Sequence, residues 1–189
     1  MKDIPMVVDF DLRLPSMVFK EKIEQFWFFE RSLMTNYDLV EKIVELSGVD
    51  VFIKFSGIDP LIESFFLIDK DNISYDVMKA HDTSVDFGKC NLSYPLVLCD
   101  SSMRWIAVED VTEEFGVLAL KDNYLFAHES NFLENNFISP SEMTQLSESG
   151  SHGSKAARAF IESYTLKNQT AHKEIYSINH LEFINVKFI

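Results

Sequence analysis

The side chains able to do chemistry are spread thinly along this chain. The five histidines, His81, His128, His152, His172 and His180, lie 47, 24, 20 and 8 residues apart. No pair has the i, i+4 spacing that sets two ligands on one helical face. None of the lysines has an acid two residues before it, the arrangement common in metal-dependent nucleases. A G-x-S-x-G nucleophile elbow and a G-x-G-x-x-G phosphate loop are both missing, and Gly88-Lys89 lacks the upstream glycine of a phosphate loop. His81-Asp82 could act as a base and its orienting carboxylate, or be an exposed loop pair, since adjacent side chains seldom face each other. Cys99-Asp100-Ser101 could place a thiol nucleophile at a strand end, or Cys99 could be buried packing. Without a compact catalytic spacing, the expectation is a non-enzyme that holds no metal or cofactor.

Carboxylates are the exception to this thinness. The chain carries a net charge of −13, and residues 100–148 hold −8 of it, from ten acids against Arg104 and Lys121. Glu109, Asp110, Glu113 and Glu114 are crowded into six positions. They could chelate calcium or magnesium, although the spacing is not that of an EF-hand and lacks its central glycine. Otherwise they form a solvated acidic turn, or a patch that meets a partner. Such a field repels nucleic acid and anionic lipid and steers a basic protein inward. The expected partner is therefore a basic protein, with no nucleic acid and no membrane.

The elements that must position these residues read as an α+β fold, a mainly antiparallel sheet packed by about four helices. A length of 189 residues fits a single domain over 1–189, and the 47% hydrophobic content with 17 Phe can fill one core. Helices are expected over 16–34, 36–47, 140–148 and 155–166. In the first, Phe19, Ile23, Phe26, Trp27, Phe29, Leu33 and Met34 make one broad stripe at 100° per residue. Phe28 falls on its opposite face beside Glu21, Glu24 and Arg31, where it would be either an exposed contact or covered by a second layer. Thr35 followed by Asp38 resembles a cap for the second helix, and Gly48 sits where its C-terminal cap belongs. Ser139-Pro140-Ser141-Glu142 is a complete helix start.

Strand-like runs occur at 7–12, 51–55, 65–68 and 174–189. Leu96–Cys99, Trp105–Val108 and Gly116–Leu120, separated by turn-length pieces, read as an antiparallel meander. Residues 69–93 look polar and irregular. The N-terminus, Met1-Lys2-Asp3-Ile4-Pro5, lacks the apolar run of a signal peptide. Cys90 and Cys99 are too few for a disulfide framework. The expected compartment is the cytoplasm, with both thiols reduced.

Residues Asp100 to Asp110, with Trp105 leading a strand, followed by Glu114-Phe115-Gly116-Val117-Leu118-Ala119-Leu120, resemble a pattern in immunity proteins of bacterial polymorphic toxin and contact-dependent inhibition systems. The pattern is a Trp-led strand, an acidic turn, then a strand of small and apolar residues. It covers about 20 of the 189 residues. The resemblance implies a cytoplasmic scaffold that neutralises a cognate toxin by binding it. Glu109, Asp110, Glu113 and Glu114 would supply charge for capture, and Trp105 or Phe28 a desolvated anchor. Other readings are a small enzyme with a dispersed carboxylate and histidine site, or a regulatory or assembly module.

Overall fold

A computed structural model describes residues 4–55, 65–88, 95–121, 126, 129 and 131–166. Six strands form one antiparallel sheet: β1 (Gln25–Glu30), β2 (Val51–Phe55), β3 (Phe65–Ile68), β4 (Leu96–Asp100), β5 (Trp105–Glu109) and β6 (Phe115–Leu120), in the order β1-β6-β5-β4-β2-β3. The helices are α1 (Ile4–Val7), α2 (Tyr37–Ser47), α3 (Ile73–Gly88), α4 (Phe132–Asn136), α5 (Pro140–Glu148) and α6 (Ser154–Ile161). The fold is α+β, and β4-β5-β6 is the expected meander.

Antiparallel sheets usually leave one face wet. Here both faces are covered, so β4, β5 and β6 are buried at every position. On one face, Trp105, Ala107, Leu118 and Leu120 pack with Leu39, Ile43 and Val44 of α2, Val77 and Ala80 of α3 and Phe132 of α4. On the other, Ile106, Val108, Val117 and Ala119 pack with Met143 of α5, Ala157 and Phe160 of α6, and the N-terminal residues Ile4, Val7 and Val8. This double coverage explains why these strands read as continuous apolar runs rather than alternating ones.

The expected helix over 16–34 is instead a loop followed by β1, and this is the largest correction. Phe26 and Phe28 point to the second face and Phe29 to the first. A strand buried on both faces needs consecutive large apolar residues, and the same run also satisfies a helical stripe. Aromatic bulk settles it for the strand, where such rings fit a pleated surface. The expected strand over 7–12 is reduced to an isolated bridge between Val8 and Phe19, with α1 before it. Residues 69–93 hold α3, which the polar pattern concealed. The strand expected over 174–189 lies outside the described residues.

Local signals fared better. Asn36, rather than Thr35, caps α2, its side chain accepting from Leu39 N at 3.2 Å. Gly48 closes that helix at φ +65°, a conformation that favours glycine. Ser139 and Glu142 form the reciprocal capping box of α5. Ser154–Ile161 continues through a π-helical turn over Glu162–Leu166. Among the described residues, no helix is long and apolar enough to cross a membrane.

Gly116 marks the tightest approach in the sheet. It pairs with Phe29, and a Cβ there would sit 2.2 Å from the Phe29 ring and 2.9 Å from the Val108 carbonyl oxygen. The ring can shift, but the carbonyl is fixed by its strand. Gly116→Ala is expected to lower unfolding free energy by about 1–3 kcal/mol, read as a lower denaturant midpoint at unchanged slope. Wild-type stability in this variant would place the Phe29 ring elsewhere.

Candidate functional site

The turn between β5 and β6 was the expected contact patch, and its side chains divide sharply. Glu109 ends β5 and is 1% exposed. Its carboxylate accepts from Leu33 N at 2.8 Å and from Ser32 Oγ at 2.9 Å, pinning the chain between β1 and α2. Asp110, 3% exposed, accepts from Arg13 at 3.3 Å and from the Thr112 amide and hydroxyl, each at 3.3 Å. The two neighbours therefore serve different parts of the fold and do not share a ligand. They are corrected from contact acids to interior acceptors, as buried carboxylates require.

Trp105 and Phe28 are corrected in the same way, both being fully buried. The Trp105 indole donates to Ser47 Oγ at 2.8 Å, and that hydroxyl donates to Ile43 O at 2.7 Å, fastening β5 to α2. Beside it the buried Asp100 accepts from the Arg104 amide at 2.7 Å and from Arg104 Nε at 2.6 Å. Phe28 meets Phe160 edge-on at 6.0 Å and Tyr164 at 6.2 Å, under α6. An anchor for a partner has to be reachable, and neither ring is.

Glu113 and Glu114 remain at the surface. Glu113 is half-buried, and burial, with Asp110 and Glu114 beside it, pushes its carboxyl above the ordinary value. Glu114 is exposed, 3.6 Å from the fully exposed His152. An open cleft of about 530 Å³ separates this turn from the one joining α5 to α6. Its lining mixes Glu113 and Glu114 with His152 and Lys155, so it presents no single sign of charge to a partner.

The nucleophile and base considered from sequence are also placed. Cys99 is a free thiol buried in the second core cluster. Burial, then the neighbouring Asp100, pushes its thiol up to about 12, leaving it protonated and shielded at neutral pH. His81 sits in α3, its Nδ1 donating to Met34 O at 3.1 Å. Asp82 lies about 100° further round the helix and is exposed, so the two form no catalytic pair. Cys90, His128, His172 and His180 lie outside the described residues.

A different surface combines acids with reachable apolar groups: the outer side of α2 and α3. These helices carry six acids, Asp38, Glu41, Glu45, Asp76, Asp82 and Asp86, against Lys42 and Lys79. Lys42 is itself engaged by Glu129 at 2.8 Å. Tyr37, Tyr75, Met78 and Val85 stand exposed among them. Sequence reading missed this surface because α3 has apolar residues on two sides. Ile73, Val77 and Ala80, spaced i, i+4, i+7, were the available signal for its buried side. Comparison with protein-family models, with curated proteins and with solved structures finds no match for this chain.

Proposed function

We propose that this chain is a capture protein of the immunity type, which works in the cytoplasm and neutralises a basic toxin domain by binding it. The observation that carries this reading is the α2–α3 surface, where exposed tyrosines and a methionine stand among six acids and two lysines. The acids attract a basic partner over distance, and the apolar groups hold it once water is excluded. Charge alone would steer without retaining. The net −13 of the chain disfavours nucleic acid and anionic lipid as competitors. The interior roles of Glu109, Asp110, Trp105 and Phe28 move the proposed contact away from the β5–β6 turn, leaving only Glu113 and Glu114 there as peripheral charge.

The test is co-expression with the C-terminal domain of a large secreted protein encoded next to this chain. That domain alone is expected to arrest growth, and the chain to restore it. Arrest that persists despite stable, folded expression of the chain would remove the immunity reading.

A further inference from the structure

The outward side of α3 carries apolar residues among its charges at positions where no packing among the described residues requires them. Ile73, Val77 and Ala80 face the sheet, as packing demands. Tyr75, Met78 and Val85 lie on the other side of the helix, yet are 55%, 52% and 47% exposed. At 1.5 Å per residue they run about 15 Å along the axis. Tyr37 of α2 extends the stripe sideways through its edge-on contact with the His81 ring, centroids 4.8 Å apart. Single exposed apolar residues are ordinary, but several on one helical ridge, rich in Tyr and Met, have the composition of an interface centre. At about 100° per residue Asp82 falls on this ridge itself, between Met78 and Val85, with Asp86 and Lys79 along one flank.

The geometry points to this stripe as the apolar anchor of the docking surface, fitted to an amphipathic helix of the partner with Lys or Arg flanking its apolar face. This rests on the capture reading above and adds to it the anchor and the partner's shape. A straight ridge of two to three turns beside a second helix suits ridge-into-groove packing by another helix, with anchors at i, i+3 or i+4, and i+7. Asp82 within the ridge, Asp86 beside it and the acids of α2 select the partner's charge, a lysine or arginine of the partner meeting Asp82. A second copy of this chain would bring the same acids face to face, which like-charge repulsion opposes.

The probe is a fluorescein-labelled, 18-residue synthetic helix with leucines on one face and lysines on both flanks. Controls are the same composition scrambled and the same helix with Glu in place of Lys. Fluorescence anisotropy is expected to show salt-sensitive binding of the basic helix, with both controls at least tenfold weaker. Tyr75→Ser and Met78→Ser together are expected to weaken binding at least tenfold at an unchanged thermal midpoint. Leu67→Ser is the control for general stickiness. Leu67 is exposed and pairs with Phe52, which packs on the other side of the sheet, so binding there should be unaffected. No binding, equal binding of the scrambled helix, indifference to the Tyr75 and Met78 changes, or self-association that buries the stripe would each overturn the assignment. Growth rescue that survives any of these outcomes would leave the capture function standing without this anchor.

Discussion

Glu109→Ala is expected to lower the unfolding free energy by roughly 2–4 kcal/mol, while Glu113→Gln, four residues away, leaves it unchanged or raises it. Glu109 is buried and accepts two short hydrogen bonds, from Leu33 N and Ser32 Oγ. Removing it strands the buried Leu33 amide, at about 1–3 kcal/mol, loses the bond from the part-buried Ser32 hydroxyl and leaves a cavity. Asp110→Ala is expected to cost less, about 1 kcal/mol, because its three contacts are all 3.3 Å long and Arg13 stays in water. Glu113 has the opposite sign. Its carboxyl is raised in the folded state by burial and by its acidic neighbours, so ionising it opposes folding. Its contribution therefore favours the folded state as pH falls, and any gain from Glu113→Gln should shrink on acidification. Urea unfolding of the single variants at two pH values checks this ordering. Equal, negligible effects at all three positions would return these acids to the solvated turn.

Which parts of the fold could be read in advance follows from how local their causes are. Ser139-Pro140-Ser141-Glu142 holds its own start in four residues, each partner within reach of the next, and the helix begins there. Gly48 likewise stops α2 through its own backbone. Phe26-Trp27-Phe28-Phe29 carries no such information, because its state depends on a second helical layer that covers Phe28 with Phe160 and Tyr164. Glu109 looked like a surface acid for the same reason. Its donors, Ser32 and Leu33, stand 77 and 76 residues away, and nothing near it marks the burial. In α3, apolar residues on two sides blur the single stripe that announces an amphipathic helix, so the surface proposed to meet the partner lay in a segment read as irregular. The acidic character and the Trp-led hairpin were legible. Which acids stay in water was not, because that is decided by contacts across the sheet.

The electrostatic part of the account is tested most directly by association kinetics. Exposed charge acts before contact, so neutralising the α2–α3 acids should slow encounter more than it speeds escape. Asp38→Asn, Glu41→Gln and Asp82→Asn together remove three charges from a surface holding six acids and two bases. For a partner captured at the ~10⁸ M⁻¹s⁻¹ typical of steered pairs, the variant is expected to associate about tenfold more slowly at low salt. The gap should close as ionic strength passes ~0.15 M, where screening acts within about 8 Å. The dissociation rate should change little. Glu113→Gln with Glu114→Gln, at the far turn, should have a much smaller effect. The measurement is stopped-flow mixing of the chain with the purified domain it is proposed to neutralise, at about 20 mM and 300 mM salt, chosen to span that screening range. The expected result is association of the α2–α3 variant that is slow at low salt and matches wild type at high salt. Association at the wild-type rate in low salt would contradict it.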